Sequence, residues 1–545
     1  MTAPPQKTLA RRLTAQTAAT AATVASALLF IVAFPPLHLR ALAWVALVPF
    51  LLAVRNASVP RAAALAALWG MIAAYGVTDW LPSTLVRYYG QPLWVGAAVF
   101  AGGAFFMGAL EYMAFALLYR WAARRRVTPL PIIVAGAWVL AELGRSRLLT
   151  GNPWGLLGAT QMGLSIPVIG SDVLADGLAS FVAARVVQVA DIGGIYAVGF
   201  VLVVANVALA ELAYAAYRAT AHRRAIVGAV TGAFVVALAI LYGHERLNTS
   251  FAPVGPPVPV AVVQGNIDLG ARWSDEFYGR NLDHYLRLTD QVAHDMPGGL
   301  VVWPENAMTF FVADEELYRR AIARVTSPLD VELLAGAPRL HSAPEPQYFN
   351  SAFLLNPDGS VHAHYDKRQL LPFAEYFPFS SASVLARNFA RVSEFSPGAP
   401  VPPLPTRAGR AAVAICNEAM FAHIVAERVA AGAELLINLS NESWVESAEF
   451  AEHQFNLVAI RAIEQRRFMV RASTSGPSAI VDPYGRVVAR TAPFTQAVLR
   501  GEVTGLSETT FYARHGDAFV VSIIVALIGL VGIFEVRRRP FPGDH

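Results

Sequence analysis

Three side chains in this sequence have the chemistry to act together on a carbonyl. Glu305 closes the run "GLVVWPE", Lys367 lies in "YDKRQLLPF", and Cys416 closes "AAVAIC". Cys416 is the only cysteine in 545 residues. Lysine occurs only at Lys7 and Lys367, with arginine at every other basic position. A lone cysteine is most often a small buried hydrophobe, and a lone glutamate or lysine is most often a solvated charge. Here, however, Glu305 and Cys416 each end an apolar run, and Asn417 and Glu418 follow Cys416 at once. A thiolate is a nucleophile, and a carboxylate can take its proton. An ammonium nearby favours the thiolate and stabilises the oxyanion of a tetrahedral intermediate. Lysine can also release a proton, which arginine cannot do at working pH.

Such residues need a scaffold that brings distant positions together. From Pro257 onward short strand-like runs appear at 258–265, 299–305, 331–338, 351–356, 410–416, 433–440, 468–473 and 478–483. Helix-like segments at 276–296, 313–327, 419–431 and 446–467 alternate with them. "NPDG" (356–359) and "DPYG" (482–485) mark turns. Strands apolar throughout, alternating with helices, imply an α/β sheet covered on both faces. Functional groups in such sheets gather at the carboxyl ends of strands, so the three residues can meet. The helix expected at 419–431 directs its positive end toward Cys416 and favours the thiolate. No internal repeat, Gly-rich phosphate loop or HExxH helix is present, and "HAH" (362–364) lacks a third metal ligand. One cysteine excludes an internal disulfide and a cysteine-based zinc ribbon. Neither a cofactor nor a metal is expected.

The rest of the chain is unlike a soluble protein. Only 15% of residues are charged and 55% are hydrophobic, against about a quarter charged in soluble domains. Eight apolar spans are expected: Thr17–Phe34, Ala41–Val54, Ala62–Trp80, Leu93–Tyr119, Leu130–Leu143, Ile192–Tyr214, Ala225–Tyr242 and Ala518–Phe534. This divides the chain into a seven-span domain (1–243), a globular α/β domain (244–517) and a last span with its tail (518–545). Arg11, Arg12, Arg55, Arg61, Arg120, Arg124–Arg126, Arg218, Arg223, Arg224 and Arg537–Arg539 fall on one side and outnumber Arg40, Arg87, Arg145, Arg147 and Arg185 on the other. The bias places both termini in the cytoplasm and the globular domain across the membrane, in the periplasm of a two-membrane bacterium. A net charge of only +4, in clusters beside apolar runs, argues against a nucleic-acid partner. Glu111, inside the fourth span, is either a packing residue or a functional carboxylate. Trp154, in the outer loop "TGNPWGLLG", is either an interfacial aromatic or a wall of a lipid site. The aromatic segment "PFAEYFPFSS" (372–381) either packs on its domain or dips into the interface.

Glu, Lys and Cys in this order, within "WPE", "DKRQLLPFAEYFP" and "ICNE", resemble the nitrilase (carbon–nitrogen hydrolase) superfamily. With the flanking spans, and with "VVQGNI", "YFNSAFLLNPDG", "NLSNESW", "HQFNLVAIRAIEQRRFMVRASTSG" and "FYARHGD", the whole chain is similar to the apolipoprotein N-acyltransferases. The resemblance implies an α-β-β-α sandwich in which Glu305 is the general base, Lys367 the transition-state stabiliser and Cys416 the acylated nucleophile. It implies a supporting role for Glu375, for Glu418 two residues after the nucleophile, and for Asn350 in "YFNSAFLLNPDG". Asn441 and Trp444 match a segment near the substrate. The implied reaction is ping-pong: a phospholipid acylates Cys416, and the α-amino group of a diacylglyceryl-cysteine apolipoprotein accepts the chain. The implied partners are those two substrates and the bilayer, and the protein is expected to be a monomer. The chain departs from the family at Asn417, where an aromatic residue is common, at "VE" after Trp444, and in the long loop 144–190. A membrane-anchored amidase would use the same triad with water as acceptor. A non-catalytic scaffold or transporter would have lost a triad residue, and none is lost.

Overall fold

The computed structural model describes residues 6–148, 150–163, 173–219, 222–267, 275–341, 345–377 and 394–536. Arg537–Arg539 and residues 378–381 of the aromatic segment lie outside the described residues. The chain divides into two compact units. One is helical and comprises Met1–Pro82, Trp94–Asn248 and His515–His545. The other comprises Thr249–Arg514 together with the excursion Ser83–Leu93, which carries no sequence signal of its own.

In the helical unit every expected span is helical at least in part. Among the described residues its helices are α1 (Gln6–Val32), α2 (Val48–Arg55), α3 (Val59–Thr78), α5 (Leu93–Ala104), α6 (Leu110–Arg124), α7 (Leu130–Arg147), α8 (Val173–Val186), α9 (Ala190–Arg218), α10 (His222–Asn248) and the last helix, Ala518–Val536, while α4 (Trp80–Arg87) runs on into the 83–93 excursion. Among the described residues four stretches are long and apolar enough to cross a membrane: Thr14–Val32, Val59–Thr78, Gly177–Arg218 and Arg223–Asn248.

Three expectations need correction. The second span is not one helix: Arg40–Trp44 is a 3-10 turn, and α2 begins only at Val48 with Pro49 in its first turn. An apolar unit requires every freed backbone group to be met. Asn206 does so here, donating to Ala43 O at 2.9 Å and accepting from Leu47 N at 2.8 Å. The fourth span is interrupted by a π turn at Phe105–Ala109, directly before Glu111, whose Oε2 is buried without a partner. The segment 144–190 is not simply a loop. It contains α8 and a buried turn at Leu157–Gln161, held to α7 by Glu142, which accepts from Leu157 N at 2.7 Å, and by Arg145, which donates to the carbonyls of Trp154 and Gly155.

The α/β unit contains two six-stranded sheets. The first runs in the order β12-β1-β2-β3-β4-β5, with β1 (Pro253–Gln264), β2 (Leu300–Val302), β3 (Glu332–His341), β4 (Gln347–Leu355), β5 (Val361–Asp366) and β12 (Ala497–Leu506). The second runs β11-β10-β9-β8-β7-β6, with β6 (Leu404–Thr406), β7 (Gly409–Ile415), β8 (Leu435–Ser440), β9 (Met469–Ser473), β10 (Ala479–Val481) and β11 (Val487–Arg490). Strand alternation builds the layers. Val260, Val262, Leu334 and Leu354 meet Val413, Ile415, Ile437 and Val470 in the core between the sheets. Ala261, Val263, Val301 and Leu333 point the other way, against α11 (Asp275–Ala293) and α12 (Glu316–Thr326). On the second sheet α13 (Ala422–Ala430) packs on β7 and α14 (Ala448–Gln465) on β9. The result is the α-β-β-α sandwich. Both sequence turns form: Gly359 (φ 79°) and Gly485 (φ 83°) adopt the left-handed conformation that closes them. The short β6 and β11 and the edge strand β12, which lack long apolar runs, are not evident in the sequence.

One close approach sets the position of Glu305. Gly336 on β3 pairs with the turn after β2, and a Cβ on it would lie 2.6 Å from Glu305 Cα and 2.7 Å from Asn306 N. We therefore expect Gly336→Ala to destabilise the unit by about 1–3 kcal/mol, the usual cost of overpacking. The unfolding midpoint of the detergent-purified protein checks this.

Candidate active site

Each of the three sequence-marked residues sits just beyond a strand. Glu305 lies three residues after β2, Lys367 directly follows β5, and Cys416 directly follows β7. Pairing of β4 with β5 places Ser351 opposite Asp366, and Lys367 N donates to Asn350 O at 2.8 Å, extending the ladder by one position. The two sheets thus bring the three residues together. Lys367 Nζ lies 3.6 Å from Glu305 Oε1 and 2.8 Å from Glu375 Oε2. Asn350 Nδ2 donates to Glu305 Oε1 and to Glu375 Oε1, each at 2.7 Å. Leu371 N donates to Glu375 Oε2 at 2.8 Å. The Glu305 carboxylate lies close enough to the Cys416 thiol for each to perturb the other's proton affinity.

The electrostatics differ from the expectation of a stabilised thiolate. Burial, and then the adjacent Glu305 carboxylate, push the Cys416 thiol well above its ordinary range, and Lys367 does not offset them. Burial also raises Glu305, with Glu375 adding to the effect, although Lys367 and Asn350 pull the other way. For Lys367 burial opposes the charge, but Glu375 and then Glu305 outweigh it and hold the ammonium above its ordinary range. The resting state is a protonated thiol beside a carboxylate that binds protons more readily than usual, with a fixed ammonium.

The helix-dipole expectation is corrected as well. Cys416 begins a 3-10 turn (Cys416–Met420), Phe421 is extended, and α13 starts only at Ala422. What distinguishes Cys416 is its backbone. With φ at 52° it occupies the left-handed region, which is costly for a residue with a Cβ. Two devices hold it there. Asn438 Nδ2 donates to Ala414 O at 2.9 Å and to Cys416 O at 3.3 Å. Asn438 Oδ1 accepts from Arg471, which also donates to Glu442 and, at 2.8 Å, to Gln454. On the other flank Glu418 accepts from Ile415 N at 2.8 Å, Tyr365 Oη at 2.9 Å, Arg368 N at 2.7 Å and Gln369 N at 3.0 Å. Glu418 therefore clamps the lysine-bearing loop to the cysteine elbow.

The remaining sequence-marked residues are Asn441, Trp444 and Trp154. Asn441 and Trp444 occupy the turn after β8. Asn441 Oδ1 accepts from Ser443 within that turn, and the Trp444 indole donates to Asn441 O at 2.8 Å. The Trp444 ring lies 6.0 Å from Phe450 and 6.3 Å from Tyr88 of the 83–93 excursion. Trp154 belongs to the helical unit, where it is buried, donates its indole N–H to Val77 O and packs 5.6 Å from Trp80. Sequence reasoning missed Asn438, Arg471, Glu442 and Tyr365. A lone arginine in the apolar strand "FMVRAS" was the available signal, because a fully buried guanidinium requires partners.

Glu418→Gln replaces an oxygen that faces either Ile415 N or the other three donors. We expect a loss of about 1.5–3 kcal/mol. Amide hydrogen exchange at Ile415 and Arg368 reports it, and protection equal to wild type would refute the clamp.

Comparison with known proteins matches residues 259–510 to the carbon-nitrogen hydrolase family model. Residues 26–184 match the model of the apolipoprotein N-acyltransferase N-terminal domain. The chain is 32% identical over 520 residues to the apolipoprotein N-acyltransferase of Geobacter metallireducens, covering 95% of each. It is 31% identical over 530 residues to that of Azotobacter vinelandii, covering 93% of each. With that of Gloeobacter violaceus it is 30% identical over 508 residues, covering 92% of this chain and 91% of the other.

Proposed function

The chain belongs to the apolipoprotein N-acyltransferase family, and from that membership we propose that it N-acylates apolipoproteins through a Cys416 thioester. The single observation that carries the thioester is the buried Cys416 thiol beside Glu305, whose carboxylate lies 3.6 Å from the Lys367 ammonium. In the first half-reaction the sulfur attacks the ester carbonyl of a phospholipid while Glu305 takes the thiol proton. Lys367 stabilises the oxyanion of the tetrahedral intermediate. Its collapse breaks the ester C–O bond, and Glu305 returns the proton to the departing lysophospholipid oxygen. In the second half-reaction the α-amino group of the diacylglyceryl-cysteine attacks the thioester, its proton passes through Glu305, and the thiol is restored. Because the thiol is held protonated, proton transfer to Glu305 accompanies attack rather than preceding it. Glu375 keeps Lys367 charged and placed, and Asn350 holds both carboxylates.

The arginines support the proposed topology, with both termini cytoplasmic, the α/β unit on the periplasmic side and the helices in the inner membrane. Arg55 and Arg224 both pair with the buried Glu211, and Arg120 and Arg124 donate to the carbonyls of Ala57 and Asn56. Residues meant for one side thus gather at one end of the helical unit. The monomeric state remains part of the same reading. The amidase alternative is less well supported, because the apolipoprotein N-acyltransferase of Geobacter metallireducens matches over 95% of this chain, helical unit included.

Incubation with labelled phospholipid should give a hydroxylamine-sensitive label on the protein, and label retained by Cys416→Ala would refute the assignment. Lys367→Arg should lose about 100-fold or more in rate, because the larger fork does not fit a slot bounded by two carboxylates. Glu305 must be ionised to accept the proton, so its raised pKa puts the acid limb of kcat/KM above the ordinary carboxylate range. Glu375→Gln removes a charge that raises Glu305, so the limb should move to lower pH. The rate should fall about 100-fold as Lys367 loses its anchor. A limb that moves upward would contradict the charge assignment.

A further inference from the structure

Three buried amide oxygens, on a residue bonded to the proposed triad or next to it in sequence, have no partner among the described residues: Asn350 Oδ1, Asn306 Oδ1 and Asn417 Oδ1. Asn306 directly follows Glu305, and Asn417 directly follows Cys416. Asn350 commits its Nδ2 to the two carboxylates, which fixes its oxygen as the unmet atom. All three are acceptors. A buried acceptor left unmet is costly, and in a native structure such an atom requires a reason. Asn417 is the most telling, being 5% exposed and carried by the strained elbow next to the thiol.

Under the thioester reading two nucleophiles compete for the acyl chain. The lysophospholipid hydroxyl, which would reverse the first half-reaction, has one O–H, and Glu305 accepts it. The α-amino group has two N–H bonds, and Glu305 can accept only one. As the C–N bond forms the nitrogen becomes positive, and its second N–H needs an acceptor. A carboxylate in that place would hold the amine as an ammonium and occupy its lone pair. A neutral amide oxygen accepts without taking the proton.

We propose that Asn417 Oδ1 receives the second N–H of the incoming α-amino group and so favours acyl transfer to the amine over return to the lysophospholipid. The step balances. The amine nitrogen bonds the thioester carbon, and the C–S bond breaks. The first N–H proton passes through Glu305 to the Cys416 sulfur, and the second N–H remains on the product amide.

The test loads the purified full-length enzyme with labelled phosphatidylethanolamine. The thioester is then chased with equal amounts of lysophosphatidylethanolamine and a diacylglyceryl-cysteine peptide. Asn417→Leu should lower the ratio of amide to regenerated phospholipid by about tenfold to hundredfold. A ratio equal to wild type would overturn the proposal. Should the leucine variant fail to load, Asn417→Ala is read in the same way. Failure of both to load would show that residue 417 serves only the elbow, which also overturns it. A wild-type enzyme that never loads is a different result, and it would remove the thioester reading itself.

Discussion

An ammonium with 1% of its surface exposed cannot remain charged without close compensation, and Lys367 is such a group. Its compensation is two carboxylates, Glu375 in direct contact and Glu305 slightly farther away, themselves tied by Asn350. Neither carboxylate could be buried there without the lysine. The group is therefore mutually dependent, and its unequal geometry has a chemical consequence. Glu375 contacts the lysine at 2.8 Å, whereas Glu305 stands at 3.6 Å, and in the proposed reaction that looser contact leaves Glu305 to exchange a proton with Cys416. One cation thus lets two identical side chains take different parts.

The rest of the α/β unit serves to keep that group in register. Lys367 is placed by the β4–β5 ladder, Glu305 by a turn fitted against Gly336, and Cys416 by an elbow with a left-handed backbone. Those three placements come from both sheets, so a slip of either sheet would disperse the site. Glu418 and the Asn438–Arg471 pair resist such a slip by meeting backbone donors and carbonyls on both sides of Cys416. Buried polar networks of this kind are useful only when each member is satisfied. The orphaned oxygens of Asn306, Asn350 and Asn417 therefore stand apart. Under the proposal above, they are where a substrate would donate its hydrogen bonds.

The helical unit obeys the same accounting of backbone groups under a stricter solvent. Two of its interruptions are met from within. Asn206 satisfies the 3-10 stretch after Arg40, and Glu142 with Arg145 satisfies the segment around Trp154. Polar side chains that sequence hydropathy would count as blemishes are what allow the chain to depart from straight helices there.

Sequence by itself determined the two-part nature of the chain and the α/β pattern from Pro257 onward, and it marked Glu305, Lys367 and Cys416 as candidates. These were legible because continuous apolar runs, turn glycines and a unique cysteine are local signals that need no partner to be read. The tertiary structure alone decided the rest. Thiol protonation is set first by burial and then by the adjacent Glu305, which outweigh what the helix expected nearby led one to expect. The roles of Asn350, Asn438 and Arg471 depend on hydrogen-bond partners many residues away. The broken second span and the helix within 144–190 follow from packing that hydropathy does not record. Proximity across two sheets is not written in any single segment, and it is proximity that turns three ordinary polar residues into one site.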